Sequence, residues 1–77
     1  MNIIILGKGC SKCKVAEQLV RETLQRHKIK AEVIHEYNLM KIAEYGPVTT
    51  PAVVVDGKVR IQGHVPTEAE ILGAIGR

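Results

Sequence analysis

The sequence predicts an α/β fold of order β-α-β-α-β-β-α, a four-stranded mixed sheet with helices on both faces. Three observations predict it. Two continuous aliphatic runs, "IIIL" and "AVVV", read as strands buried on both faces. A long stretch between them repeats apolar residues at helical spacing. A two-residue turn signal, then a capping box, mark a hairpin and a last helix.

The first strand runs from Asn2 to Leu6, after which Gly7 and Gly9 loosen the backbone into a loop. The first helix is expected over Ser11 to His27. Ala16, Leu19, Val20, Thr23, Leu24 and His27 form one face, and polar residues such as Lys12, Lys14, Glu17 and Arg21 fill the rest. Ala31 to Glu36, "AEVIHE", reads as the second strand. A helix joins it to the first, so the two should be parallel with a right-handed crossover. Asn38 suits the N-cap of a short helix over Leu39 to Tyr45, and Gly46 suits its C′ stop.

Asp56-Gly57 turns a hairpin between Ala52–Val55 and Lys58–Gln62. The incoming strand is apolar throughout and should be central. In the outgoing strand Val59 and Ile61 alternate with Lys58, Arg60 and Gln62, so one face should see water, as on an edge strand. Thr67 and Glu70 form the capping box, with Pro66 just outside. They open a helix whose apolar face is Ile71, Leu72 and Ile75.

Seventy-seven residues make a single domain, 1–77, with room for one core. A chain of this size buries only about 60% of its unfolded surface, so its elements must be regular. The composition, 45% hydrophobic and 25% charged, is that of a soluble globular protein. Tyr37 and Tyr45 are its only Phe, Trp or Tyr residues, so the core must be aliphatic. Eleven basic against eight acidic side chains give a net charge of +3, scattered and without interleaved aromatics. Nucleic acid is therefore not an expected partner.

No apolar run approaches the roughly 20 residues of a membrane span. "MNIIILGKGC" lacks the basic start and long apolar run of a secretory signal. Two cysteines are too few for a disulfide scaffold. The expectation is a cytoplasmic, reducing compartment, no membrane partner, and a cysteine pair that does chemistry rather than stapling.

That pair is Cys10 and Cys13, in "GKGCSKCKVAEQL". With Cys10 at the mouth of a helix, a spacing of three brings Cys13 back to the same side. The separation suits a disulfide, whose Cα atoms lie roughly 4.4–6.8 Å apart. A helix N-terminus stabilises a thiolate, and Lys8, Lys12 and Lys14 push the same way. Cys10, on the glycine-rich loop, is the better placed nucleophile. Cys13, one turn in and more buried, would then attack the mixed disulfide. Taken alone, C-x-x-C leaves metal binding and inert packing open.

Little else competes. His64 reads as a solvated loop residue, and His27 and His35 as a helix end and a strand position far in sequence from the cysteines. Nothing suggests a shared metal site or a cofactor. Glu68 and Glu70 read as first-turn charges on the last helix.

"CSKC" between the first strand and first helix, "TTP" just before the third strand and the "VDGK" hairpin together resemble the thioredoxin fold, over about Asn2 to Ile75. The resemblance is closest to the compact thioredoxin-like redox-active disulfide proteins, which lack the extra N-terminal strand and helix. It implies a cis peptide before Pro51, with that proline against the cysteine pair. It also implies that Thr50 offers backbone hydrogen bonds to a substrate peptide. Cys10 and Cys13 would be catalytic, Thr50 and Pro51 substrate-binding, and Lys8, Gly9, Ser11 and Lys12 supporting. Protein disulfides would be the substrate and a thioredoxin-reductase-type protein the electron donor; the chain is expected to act as a monomer.

The chain departs from that pattern at several positions. Gly9 stands where thioredoxin has a tryptophan. Ile4 stands where it has a buried aspartate that assists proton transfer at the second thiol, so the resemblance supplies no proton acceptor for Cys13 and leaves that role open to water. Ser11-Lys12 is neither the Gly-Pro of thioredoxin nor the Pro-Tyr of glutaredoxin. "QGHVPTEAE" lacks the glycine pair and aspartate with which glutaredoxins hold glutathione, so glutathione is not the expected partner.

The expected function is thus a thiol–disulfide oxidoreductase of thioredoxin/glutaredoxin-like type that cycles Cys10–Cys13 to reduce protein disulfides. The alternative is a Cu(I)-type metal carrier using the same thiolates. Small heavy-metal-associated domains also carry GxxCxxC between a first strand and first helix, as "GKGCSKC" does, but their order β-α-β-β-α-β ends in a strand. A redox-sensing or docking module without turnover would use the same pair.

Overall fold

Seven elements follow in the expected order: β1 Asn2–Leu6, α1 Ser11–Arg26, β2 Glu32–Glu36, α2 Leu39–Ala43, β3 Ala52–Val55, β4 Lys58–Gln62 and α3 Glu68–Ala74. They come from a computed structural model that describes residues 1–9 and 11–76. The strands form one sheet in the order β2-β1-β3-β4. β1 pairs with β2 in parallel, and the other two pairs are antiparallel. The chain ends its regular structure in a helix, unlike the order of heavy-metal-associated domains.

The two aliphatic runs take the centre of the sheet, as their unbroken apolarity requires. Ile3 and Ile5 of β1 with Val53 and Val55 of β3 face α1 and α3, packing against Ala16, Val20, Leu24 and Ile71. Leu6, Ala52 and Val54 face the other way, against Ile42 of α2. Burying each of the larger side chains is worth about 1.5–3 kcal/mol, so this two-sided core carries most of the stability of a small domain.

β4 is an edge strand, but the expected single wet face is corrected. A bulge shifts the register so that Val54 stands opposite Val59 while Val53 stands opposite Ile61. Arg60 is the extra residue, and it turns Val59 and Ile61 to opposite faces of the sheet. Ile61 joins the α1–α3 core and Val59 the α2 core. The hairpin turn is as expected, with Asp56 at φ 49° and Gly57 at φ 86°.

Helix α1 ends one residue early, and His27 leaves the apolar face. Lys28 takes a left-handed φ of 55°. Ile29 N–H then donates to Leu24 O at 2.8 Å, and Lys28 N–H to Gln25 O at 3.2 Å. This double closure is a Schellman stop, built here without glycine. His27 is thereby exposed and meets Glu68, which also pairs with Arg26. The second strand begins at Glu32 rather than Ala31, and α2 closes at Ala43 rather than Tyr45.

The caps on the remaining helices follow the sequence. Asn38 accepts from Met40 N–H at 2.8 Å. Thr67 Oγ1 accepts from Glu70 N–H at 3.1 Å while Glu70 Oε1 accepts from Thr67 N–H at 3.0 Å. Among the described residues, no helix is long and apolar enough to cross a membrane.

Candidate active site

The site lies where β1 hands the chain to α1. Gly7 N–H donates to Glu36 O at 3.1 Å, which extends the β1–β2 ladder by one residue. Gly7 is buried and points toward α1, on the same side as Ile3 and Ile5. A Cβ on Gly7 would fall 2.2 Å from the Cys13 sulfur, so only glycine lets the helix come this close.

Cys13 lies in the first turn of α1 and is 0% exposed. Its helical neighbours toward the core are Ala16 and Val20, and this apolar spacing turns its sulfur under the end of β1. Cys10, the expected nucleophile, lies outside the described residues. Lys8, Ser11, Lys12 and Lys14 are exposed around the loop and the start of the helix, and the first turn of α1 holds no acidic residue. The local field at this helix mouth is therefore positive. Gly9 has φ 88°, and its α-carbon lies against the ring of Tyr37: a Cβ there would be 2.9 Å from Tyr37 Cε1.

The Thr50–Pro51 peptide is cis. Pro51 is buried and Thr50 exposed. Leu6 pairs with Ala52, so one residue further in the same register Pro51 stands level with Gly7. The fold therefore gathers the Thr50–Pro51 turn, Gly7 and Cys13 at one end of the sheet. His64 meets Glu70 of α3 at 2.7 Å on the surface, and the preceding Gly63 N–H donates to the carbonyls of Thr49 and Pro51 at 2.9 and 3.1 Å.

Two residues enter the site that sequence reasoning left aside. His35 is the strand residue expected, far in sequence from the cysteines, yet its side chain is only 4% exposed and sits beside Gly7. Its Nε2 lies 3.3 Å from Gly7 O and its Nδ1 2.6 Å from Glu17 Oε1. Tyr37 stacks on the ring, with centroids 4.0 Å apart and an interplanar angle of 7°. The hydrogen bond from His35 holds the Glu17 carboxyl below its ordinary value. Partial burial works against that shift, and the bonded Arg21 guanidinium adds to it. The signal was in the register: in a parallel pair, His35 falls opposite Ile5, two residues before Gly7 and on the helix-covered side.

A β-α-β-α-β-β-α sheet with a cis proline at the head of its third strand, level with a cysteine-bearing helix mouth, is a thioredoxin-like architecture. The comparisons agree. A thioredoxin domain family model matches residues 1–76, and the chain belongs to that family. It is 35% identical over 71 residues to a thioredoxin of Methanothermobacter thermautotrophicus, covering 92% of each chain. It is 33% identical over 69 residues to a thioredoxin of Methanocaldococcus jannaschii, covering 90% of this chain and 79% of that one. No solved structure gives a significant match.

Proposed function

We propose that the protein is a thiol–disulfide oxidoreductase that reduces protein disulfides through Cys10 and Cys13. The observation that carries this reading is the Cys13 sulfur, buried against Gly7 at a lysine-flanked helix mouth level with the Thr50–Pro51 turn. Family membership adds to it. A thiol at such a helix start has its thiolate form favoured, which is what nucleophilic attack on a disulfide requires.

Cys10 thiolate attacks a substrate disulfide, and the first substrate sulfur leaves and is protonated. Cys13 then attacks the Cys10–substrate bond, the protein disulfide closes, and the second substrate sulfur leaves. Thr50 supplies backbone hydrogen bonds to the extended substrate segment, with Pro51 as the wall beside it. Lys8, Gly9, Ser11 and Lys12 shape and charge the rim. A thioredoxin-reductase-type donor returns two electrons, and the setting is the cytoplasm.

Insulin reduction tests the reading. The reduced protein should precipitate the insulin B chain, and Cys10→Ser should not. Equal rates for the two would remove Cys10 from the mechanism.

A further inference from the structure

Ile4 packs into the α2-side core and offers no titratable group, yet a buried thiol at Cys13 must lose a proton before it can attack. We infer that His35, oriented by Glu17, takes the proton from Cys13 and later returns it; the inference rests on the thiol–disulfide reading above.

The geometry assigns this role. One point, the Cβ position above Gly7, lies 2.2 Å from Cys13 Sγ and 3.8 Å from His35 Nε2. Sulfur and imidazole thus converge on the same glycine, and a side chain there would displace both. The imidazole is held from each end, by Glu17 Oε1 at Nδ1 and by the Gly7 carbonyl at Nε2. Tyr37 covers its face. A side chain wanted only for packing on this aliphatic side of the sheet would carry no polar atoms to satisfy.

The hydrogen bonds choose which nitrogen works. The Gly7 carbonyl can only accept, and so can an ionised Glu17. With both nitrogens protonated the ring satisfies both partners. With one proton, the stronger bond to the carboxylate keeps it on Nδ1, and Nε2 presents a lone pair toward the Gly7–Cys13 side. Glu17 in turn is partly exposed and paired with Arg21. The dyad therefore runs from a buried thiol to the surface of α1.

The step balances. In the mixed disulfide, Cys13 S–H gives its proton to His35 Nε2. The thiolate attacks Cys10 Sγ, the Cys10–Cys13 bond forms and the Cys10–substrate bond breaks. The electron pair leaves on the substrate sulfur, which takes up a proton as the imidazolium gives its own back through solvent. The groups that face His35 among the described residues are Cys13 and Glu17 of α1, Arg21 behind Glu17, the Gly7 carbonyl and the Tyr37 ring. β1 presents apolar Ile5 opposite it.

Ellman's disulfide separates the two chemical steps. The first thionitrobenzoate released reports attack by Cys10, and the second reports resolution by Cys13. His35→Gln should lower the ratio of second-phase to first-phase rate about 100-fold at neutral pH, the usual range for loss of a general base. The pH profile of the second phase should also change. Glu17→Gln should lower the ratio about tenfold, as removal of a histidine's outer partner does, and alter that profile.

An unchanged ratio and pH profile in His35→Gln would overturn the role of His35 while leaving the oxidoreductase reading intact. A wild type that releases no second thionitrobenzoate would instead overturn that reading. If His35→Gln fails to fold by circular dichroism, Glu17→Gln decides: a lowered ratio with an altered pH profile supports the dyad, and an unchanged ratio and profile sink it.

Discussion

The Cys13 sulfur fills the space that a side chain on Gly7 would need, since a Cβ there would lie 2.2 Å from Sγ and 2.8 Å from the Cys13 Cβ. Neither the end of β1 nor the first turn of α1 is free to retreat, because Gly7 N–H is bonded to β2 and Ala16 and Val20 are locked in the core. Gly7→Ala should therefore destabilise the protein by about 1–3 kcal/mol, the usual penalty for overpacking. The urea midpoint of the reduced protein measures it. Gly73 supplies the contrast: it lies in α3, and nothing stands within 4 Å of a Cβ there. Gly73→Ala should stabilise by about 0.5–1 kcal/mol through helix propensity.

Acid should weaken the link between Glu17 and His35. The folded Glu17 carboxyl titrates below its ordinary value of 4.5. A depressed carboxylate contributes stability that is present above its unfolded pKa and is lost as pH falls through the folded one. The urea midpoint of the wild type should exceed that of Glu17→Gln at neutral pH, and the gap should close as pH drops below 4.5. A gap that persists unchanged in acid would detach Glu17 from that titration.

The start of α3 is a purely structural test. Thr67 and Glu70 satisfy one another's backbone N–H groups, and the adjacent Glu68 pairs with Arg26 at the opposite end of α1 from Cys13. Thr67→Ala should remove about 1 kcal/mol, which lowers the melting temperature by about 4–8 °C in a domain of this size. The rate of disulfide reduction below that melting range should stay as it was, and a loss of rate would tie α3 to the chemistry.

Cys13→Ser should stop the reaction halfway. Without the resolving thiol, Cys10 remains bonded to its substrate, so intact mass should rise by one thionitrobenzoate after reaction with Ellman's disulfide. Cys10→Ser should accumulate little such adduct, because the Cys13 sulfur is fully buried. Equal adducts on the two variants would assign the wrong cysteine to first attack.

Much of this fold was legible because local signals and the global pattern agree. Unbroken aliphatic runs marked β1 and β3 as central, Asp56-Gly57 marked the hairpin, and Thr67 with Glu70 marked the last helix. The misreadings have physical causes. The bulge at Arg60 does not show in alternation, because an inserted residue leaves the pattern looking regular while reversing the faces. The stop after α1 comes one residue before the helical pattern ends because Lys28 adopts a left-handed turn that glycine usually signals. His35 gives no local sequence signal of its role because its nearness to Gly7 is spatial and not sequential. Parallel pairing of β2 with β1 puts a residue 28 positions from Gly7 within 3.3 Å of its carbonyl.

The most direct test of the central claim is a redox titration of the intact protein. Samples equilibrated in dithiothreitol buffers of graded potential would be alkylated and weighed. Cys10 and Cys13 should convert together in one two-electron transition, with the disulfide mapped between them and a midpoint nearer about −270 mV than about −120 mV, as suits a protein that reduces others. Two thiols that alkylate independently across the whole range, with no bond between them, would contradict it.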